Sequence, residues 1–361
     1  MPGTNVFKSG LVLSAKRSGA MSRKKGSNSN GGNGFGERES PKSIPSSSTS
    51  TSSSESTLQA KDIYSKPALY DLAFGYRNYE EEVQFLLDMH KKHSTIDSSE
   101  KKKINILELA AGPARHTITA LREHSTVVDS CTAVDLCSNM VEYSCGIADE
   151  ELGDKDVGGI RDRFHYVLDD MRTIGKGESS VLQHGSFDSA WILLGSMQHL
   201  TTNDDVIDCF SSTSLLLKEG GILTIELPHP RETFTMVECT RNSWEVPLED
   251  ANGKEYGELK IIWGDDDDNF DPIRQVRDFT VAMDLIVSED MKVENPDLQS
   301  VREVVPLRLF TYQEIDALSR IAGFEVVELF GALSDEVNVN SEDEAFRLVC
   351  VLRKIREPIN I

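Results

Sequence analysis

The stretch from residue 104 to residue 116, INILELAAGPARH, constrains the fold more than any other part of the chain. An apolar run ends at Glu108, small residues surround Gly112, and apolar residues then follow at helical spacing. This order predicts a buried strand, a tight turn and a helix that has Pro113 at its first position. Small side chains let a ligand approach the turn, and the unpaired N–H groups of the helix favour a carboxylate or phosphate. We therefore expect a parallel α/β domain with a ligand site at the end of this strand.

The same residues resemble the first motif of the class I S-adenosylmethionine-dependent methyltransferases, in which an acid is followed by three glycines at alternate positions. Glu108 matches the acid and Gly112 the central glycine, whereas Ala110 and Ala114 stand where the flanking glycines usually lie. The resemblance implies that Glu108, Ala110 and Gly112 bind the amino-acid part of S-adenosylmethionine. An ordinary strand-to-helix turn of another parallel α/β domain is the alternative interpretation.

Two further acids follow predicted strands. Asp135 ends the second strand, where a carboxylate can accept two hydrogen bonds from the hydroxyls of a ribose. After the third strand, the resemblance implies that Asp170 binds the adenine amine and that Met171 covers the ring, with Asp169 as the alternative acid. Two apolar neighbours of strand ends complete the predicted cofactor site, Leu136 and Leu194.

Three more residues are candidates for the reaction itself or for covering the cofactor. His199 follows the fourth predicted strand and His229 the fifth, and ligands of open α/β sheets lie beyond such strand ends. An imidazole, with an ordinary pKa of about 6.5, suits the removal of a proton from the acceptor. Tyr70 lies in an aromatic stretch, residues 64–79, that resembles the family's segment closing over the cofactor. A structural histidine and aromatic packing against the core are the alternatives.

The pattern changes between residues 232 and 308. Alternating apolar residues predict antiparallel strands over 258–263, 275–288 and 302–310. Inserted after the fifth strand, this subdomain would lie over the open end of the sheet and shape the acceptor pocket. Four arginines are candidates to bind an acidic acceptor, Arg274, Arg277, Arg302 and Arg308.

The end of the chain predicts how the sheet is closed. Thr311 and Glu314 form a capping box that begins a helix, and strands are predicted over 324–330 and 345–352. In the resembling family the last strand is inserted antiparallel. We therefore predict a Rossmann-like α/β fold: a seven-stranded sheet with the last strand antiparallel, and an antiparallel β subdomain inserted after strand five.

The first 57 residues predict a separate tail. They are basic at first, with six lysines and arginines and no acid among residues 1–36, and then rich in serine and threonine. Such a composition cannot offset the entropy lost on ordering, so we expect disorder over 1–57 and a methyltransferase domain over 58–356. The basic start is also typical of an organellar targeting peptide, and a plain solvated tail is the alternative.

Composition limits the compartment and the partners. The six cysteines show no paired spacing, which indicates reduced thiols in an intracellular compartment rather than disulfides or a zinc site. No apolar run reaches the roughly 20 residues of a membrane-spanning helix. We expect a cytoplasmic protein, or a mitochondrial or other organellar one if the tail directs it there. A net charge of -22 makes nucleic acid an unlikely partner.

Together these features predict an S-adenosylmethionine-dependent methyltransferase that transfers a methyl group in line to a small-molecule acceptor. The resemblance implies that no metal is required. Two alternatives are a regulatory protein of the same fold that has lost turnover and an NAD(P)-dependent oxidoreductase. The oxidoreductase would need a Gly-x-Gly-x-x-Gly turn, and residues 110–115, AAGPAR, do not supply one.

Overall fold

A computed structural model describes most of the chain after residue 61. The described residues are 62–96, 103–153, 158–177, 181–231, 242–249, 255–287 and 299–359, with one short antiparallel pair, Asn5–Val6 and Val12–Leu13. The rest of the predicted tail lies outside them, as does its predicted boundary with the domain. Disorder in the tail and the boundary therefore stay predictions.

The domain begins with a segment that lies above the main sheet. It comprises a 3-10 turn, Asp62–Ser65, and helix α1, Pro67–Phe74, and it leads into helix α2, Tyr79–His93. Apolar residues at helical spacing bury one side of α2, while three glutamates begin it and four basic residues end it. We call residues 62–79 the cover segment.

Strands and helices then alternate as the sequence predicts. Their bounds are β1 Ile104–Leu109, α3 Arg115–His124, β2 Val128–Asp135, α4 Ser138–Leu152, β3 Phe164–Leu168, β4 Phe187–Ile192, α5 Asn203–Leu216 and β5 Leu217–Pro228. All neighbouring pairs among these strands are parallel. The prediction that Pro113 begins the helix was wrong, because α3 starts at Arg115 after a left-handed Ala114.

The insertion after β5 is an antiparallel sheet, as predicted. Its strands are β6 Asn242–Glu249, β7 Glu255–Trp263, β8 Phe270–Asp271, β9 Val276–Val287 and β10 Val301–Arg308. β7 pairs with β6 and β9, and β9 also pairs with β8 and β10. The sequence did not indicate β6, because it contains Pro247 and pairs only with β7 among the described strands. Proline is tolerated at such an edge.

The chain closes with helix α6, Tyr312–Ile321, and strands β11, Phe324–Phe330, and β12, Arg347–Lys354. The predicted capping box of Thr311 and Glu314 is present. The main sheet has the order β11-β12-β5-β4-β1-β2-β3, and β12 is antiparallel to both neighbours. The predicted fold class, with its antiparallel last strand, is therefore confirmed.

Three apolar clusters hold these layers together. Ile106 of β1 packs with α2, α3 and α4 on one face of the main sheet, and Leu107 packs with α5 and α6 on the other. In the third cluster, Leu69 and Leu72 of α1 pack against the inserted sheet. The cover segment therefore lies between the inserted sheet and the carboxyl edge of the main sheet.

Two features bear on the predicted compartment. The five cysteines that the structure describes are all free, and four of them are buried. Within the described ranges, no helix is long and apolar enough to cross a membrane. The compartment itself stays a prediction.

Candidate functional site

The turn after β1 has an unusual backbone. Ala110, Gly112 and Ala114 all adopt the left-handed conformation, with φ values of 51°, 51° and 52°. This conformation costs an alanine about 1 kcal/mol, whereas glycine adopts it freely. The two alanines therefore take the backbone that glycines take in the motif they resemble. Strain of this kind is concentrated at functional sites.

Gly112 is fixed from three directions. Its N–H donates to Oδ2 of Asp135 at 2.9 Å, and its carbonyl accepts hydrogen bonds from Tyr166 at 2.6 Å and Ser144 at 3.0 Å. These partners come from β2, β3 and α4, so the turn is tied to the adjacent strand β2, to the next strand β3 and to the helix between them. The predicted residues Gly112 and Asp135 are thus in direct contact.

Asp135 is held by backbone groups. Besides the bond from Gly112, its Oδ1 accepts a hydrogen bond from the Cys137 N–H at 2.9 Å. Burial raises the pKa of Asp135, and these backbone hydrogen bonds offset only part of that rise. Among the described residues, no cation pairs with this carboxylate. Because a carboxylate has about four acceptor positions, it can still receive hydrogen bonds from a ligand's hydroxyl groups.

Glu108, the predicted acid of the first motif, is buried against α3. It accepts a hydrogen bond from the Thr117 N–H at 3.2 Å, and its Oε1 lies 3.6 Å from Nδ1 of His116. Nε2 of His116 contacts Glu82 at 2.8 Å. Burial lowers the pKa of His116, but the two carboxylates raise it by a larger amount, so the pKa is about 9. His116 is therefore a cation at neutral pH and neutralises Glu108.

This pair belongs to a longer ionic chain, which runs in the order Arg347, Glu226, Arg77, Glu82, His116 and Glu108. Arg77 bridges Glu226 at 3.1 Å and Glu82 at 2.9 Å, and it is only 8% exposed. Burial raises the pKa of Glu226, but Arg77 and Arg347 lower it to about 2. The ionic chain joins the cover segment to β1, β5 and β12 and contains three cations and three carboxylates.

Sequence reasoning missed most of the ionic chain. Among the members of this chain it singled out Glu108 alone, as the acid of the first motif. Arg77, Glu82 and His116 carried no signal, because single charged residues in helices and turns usually lie in solvent. Only the fold brings them together.

The predicted adenine site lies at the end of β3. The Asp169 N–H donates to the Asp135 carbonyl at 3.0 Å, which extends the pairing of β3 with β2. The Asp170 carboxylate forms an ion pair with Arg172 at 2.7 Å, and Arg172 also contacts Asp205 at 2.6 Å. Asp170 remains partly exposed, with 18% of its side chain accessible. The apolar neighbours Leu136, which is 37% exposed, and Met171 lie at the same two strand ends.

Tyr70 of the cover segment lies over the first turn. A Cβ atom on Gly112 would lie 3.9 Å from the Tyr70 ring. Burial and the nearby Asp135 raise the pKa of Tyr70, so its hydroxyl stays protonated. Tyr70, Leu194 and Ala111 line a crevice of about 10 Å³, which is roughly the space for one water molecule. The cover segment therefore closes the carboxyl edge in this conformation.

His199 ends a 3-10 turn, Ser196–His199, that follows β4. Its Nε2 lies 2.9 Å from the hydroxyl of Tyr64, and the two rings meet edge to face at 5.3 Å. Burial, Tyr70 and Asp135 raise the pKa of Tyr64, so the phenol keeps its proton and can donate it in a hydrogen bond to an unprotonated Nε2. Tyr64 in turn lies 5.6 Å from Tyr70, measured between ring centroids. His199 thus lies beside the crevice, under the cover segment.

His229 lies elsewhere. Its Nε2 contacts the Val339 carbonyl at 2.8 Å, and its Nδ1 accepts a hydrogen bond from the Arg231 N–H at 3.1 Å. The backbone of His229 also bonds to Phe346. Nε2 therefore holds the loop between β11 and β12, Nδ1 holds the backbone that follows β5, and neither nitrogen is directed to the crevice by these contacts.

Leu194 marks the end of β4 with a second strained backbone. Its φ is 57°, in the left-handed region that a branched side chain rarely adopts. Its N–H donates to Glu226 of the ionic chain at 2.9 Å. The structure therefore brings Leu194, Tyr70 and the first turn to one crevice, with Asp135 below and His199 beside it.

Comparison with known proteins finds solved structures with a similar fold but with low sequence identity to this chain. No protein-family model matches the sequence, and no curated protein matches it. Among solved structures, an S-adenosylmethionine-dependent methyltransferase from Clostridium acetobutylicum is 14% identical, with a TM-score of 0.55 over 81% of this chain and 99% of that one.

Two others act on sugars according to their descriptions. The sugar N-methyltransferase KedS8 from Streptoalloteichus is 14% identical, with a TM-score of 0.54 over 86% of this chain and 99% of that one. The amino pentose methyltransferase CalS10 from Micromonospora echinaspora, solved with S-adenosylmethionine bound, is 15% identical, with a TM-score of 0.51 over 83% and 100%. The strand order, the antiparallel β12 and these likenesses agree: the chain has the class I methyltransferase fold.

Proposed function

We propose that this protein is an S-adenosylmethionine-dependent methyltransferase acting on a small-molecule acceptor. One observation carries the proposal: at the carboxyl edge of this fold, a turn with three left-handed residues donates an N–H to Asp135, a carboxylate that, within the described part of the chain, is bound only by backbone groups. Such a turn admits a ligand close to the backbone, and such a carboxylate accepts hydroxyl donors.

The residues of the edge fit the cofactor as the sequence suggested. Glu108, Ala110 and Gly112 would hold its amino-acid part, and Asp135 its ribose. Asp170, Met171, Leu136 and Leu194 would surround its base, and Tyr70 would cover it. Because the crevice now holds about one water molecule, Tyr64 and Tyr70 must move before a ligand of this size can bind.

The bound cofactor supplies a methyl group that its sulfonium already makes electrophilic. The protein then has to align the acceptor, exclude water and, where the acceptor must lose a proton, accept it. We assign proton removal to His199, which lies beside the crevice. Its Nε2 contacts the Tyr64 hydroxyl at 2.9 Å, so Tyr64 must leave this nitrogen before it can take a proton from the acceptor. His229 is a weaker candidate since both its ring nitrogens are held by the backbone.

A small acceptor suits the enclosure of the site. The cover segment and the inserted sheet pack together over the edge through Leu69, Leu72, Leu259, Phe279 and Val281. A site roofed in this way has room for a small molecule rather than a folded protein. The similar structures described as sugar and amino pentose methyltransferases support the same class of acceptor.

The test is methyl transfer from labelled S-adenosylmethionine to a metabolite extract, followed by mass spectrometry of the product. We expect one labelled small molecule, and we expect His199→Gln to lower kcat about 100-fold if the acceptor has to lose a proton. His229→Gln is the matched variant and should change kcat less than about tenfold while lowering stability. Absence of labelled product would contradict turnover, and reduction of substrate by NADH would favour the oxidoreductase instead.

A further inference from the structure

A second, larger depression lies outside the crevice, between the inserted sheet and helices α5 and α6. It has a volume of about 600 Å³, within the range of ordinary ligand sites. Its lining includes Arg274 and Gln275 from the turn before β9, Arg308 from the end of β10, and Asn203 and Gln313 from the first turns of α5 and α6. We call it the groove.

Arg308 is the buried cation of the groove. It is 5% exposed, yet its Nε has no hydrogen-bond partner. Only Nη2 forms described hydrogen bonds, to Asn203 at 2.7 Å and to Glu314 at 2.8 Å. Buried guanidinium groups normally have all their donors satisfied, and an unsatisfied one is costly. The guanidinium lies over the Phe310 ring, 4.8 Å from its centroid, and its Nε is left for a hydrogen-bond partner that the described residues do not supply.

The charges around Arg308 favour an anion. Glu314 is already bound, since its Oε1 pairs with Arg308 and its Oε2 accepts hydrogen bonds from Thr311 and Gln275. Arg274 has 81% of its side chain exposed, and its Nε forms only a long ion pair with the carboxylate of Asp271, at 3.9 Å. The groove therefore has two cations for one carboxylate, in a chain whose net charge is -22.

The other two candidate arginines are excluded from this site. Arg277 is buried within the inserted sheet, where its Nη2 donates to the Asp265 carbonyl at 2.7 Å. Arg302 lies 3.6 Å from the carboxylate of Asp265. Neither lines the groove. Of the four arginines that the sequence offered, only Arg274 and Arg308 share one cavity.

The groove adjoins the reaction site that we propose. Thr201, at its rim, follows His199 by two residues, so their Cα atoms lie within about 8 Å of each other. Gln198 of the same 3-10 turn donates to the Arg308 carbonyl at 3.2 Å. The groove and His199 therefore lie next to each other in the fold.

We propose that the groove binds a carboxylate or phosphate group of the methyl acceptor, with Arg308 and Arg274 as the anchoring cations. This inference rests on the proposed function for the identity of the ligand. The site itself, a receptor for an oxyanion, can be measured without any methyl transfer. The acceptor would thus be an acidic small molecule held at its charged end, with its nucleophilic atom directed toward His199.

Titration calorimetry of the full chain with inorganic phosphate, and separately with succinate, measures the site. We expect at least one of them to bind with a Kd on the order of 1–10 mM. Arg274→Gln should weaken that binding about fivefold, because an exposed charge contributes modestly, and Arg308→Gln should weaken it more than about tenfold. The matched control is Arg302→Gln, an exposed arginine of the same sheet outside the groove, which should leave binding unchanged within about twofold.

The outcomes separate the two proposals. Binding of phosphate alone or succinate alone identifies the group recognised, and either result supports the groove. Absence of binding for both, or an equal loss in Arg302→Gln, overturns it even where S-adenosylhomocysteine binds normally. Failure of S-adenosylhomocysteine to bind while phosphate or succinate binds overturns the methyltransferase function instead. A labelled product from the extract with no carboxylate or phosphate overturns the assignment to the acceptor.

Discussion

The carboxyl end of β2 differs from the ends of β1 and β5 in how its acid is neutralised. Glu108 at β1 pairs with His116, and Glu226 at β5 pairs with Arg77 and Arg347. Asp135 at β2 has no cation among the described residues and is held by the N–H groups of its own and a neighbouring turn. The first two acids belong to the ionic chain, and the third does not.

The difference indicates separate roles for the three acids. An acid whose charge is matched by a buried cation mainly fixes the elements that carry the pair, and losing one partner leaves an uncompensated charge. An acid held by backbone N–H groups is fixed in position while it keeps acceptor capacity. We therefore expect changes at Arg77, Glu82 and Glu226 to affect folding, a change at Glu108 to affect both folding and cofactor affinity, and changes at Asp135 to affect ligand affinity.

The largest effect should come from removing the central cation. Arg77→Met leaves Glu226 and Glu82 without their shared partner inside the protein, so we expect the free energy of unfolding to fall by about 3–5 kcal/mol. Urea unfolding followed by circular dichroism measures this change. Arg320→Met is the control, because Arg320 pairs with Asp316 on the surface with 64% of its side chain exposed, and it should change the stability far less than Arg77→Met does. Equal losses of stability in both variants would contradict the distinction between the buried ionic chain and a surface ion pair.

The next effect is a dependence on pH from His116. Its pKa is raised to about 9, above the ordinary 6.5, so its ion pairs stabilise the protein fully below pH 6.5 and are lost as the pH rises through 9. Because protonation of His116 is linked to folding, the rise in its pKa contributes about 3 kcal/mol to the free energy of unfolding, and this contribution is lost between pH 6.5 and pH 9. Unfolding free energies measured at several pH values should show the fall in the wild type and a much smaller one in His116→Gln. The same fall in both proteins would contradict the pairing with Glu82 and Glu108.

The smallest effect concerns the turn that donates to Asp135. Ala110→Gly removes the strain of a left-handed alanine, so we expect it to raise the free energy of unfolding by about 1 kcal/mol without weakening ligand binding. Ala148→Gly, in the middle of α4, is the matched substitution and should lower stability by about 1 kcal/mol or more. A loss of stability in Ala110→Gly would mean that the methyl group is needed for packing.

Much of the fold could be predicted because it depends on local patterns. The apolar run before Glu108, the acid at Asp135 and the capping box at Thr311 each specify an element through neighbours in sequence. The order of those elements then identified the sheet. The exact start of α3 could not be predicted from Pro113, because the left-handed Ala114 delays the helix. Strand β6 was missed because Pro247 argues against a strand in the sequence, whereas the strand lies at the edge of the inserted sheet, where proline is tolerated.

The candidate site was predicted less completely, for a physical reason. Gly112 and Asp135 were each predicted to bind the cofactor, and the fold places them in contact because they lie at the ends of adjacent strands. Tyr64 contacts His199, which lies 135 positions further along the chain, and Arg77 contacts Glu226, which lies 149 positions further along. Only tertiary packing creates such pairs. The same holds for the groove: the sequence offered four candidate arginines, and the structure shows that two of them, Arg274 and Arg308, line it.

The central claim is that the carboxyl edge binds S-adenosylmethionine through Asp135. Titration calorimetry with S-adenosylhomocysteine, with NADH as the competing ligand class, tests it most directly. We expect the wild type to bind S-adenosylhomocysteine and not NADH, Asp135→Asn to bind it about 10–100-fold more weakly, and Asp129→Asn, at the exposed other end of β2, to bind it as the wild type does. Wild-type protein with no affinity for S-adenosylhomocysteine, or undiminished affinity in Asp135→Asn, would contradict the account.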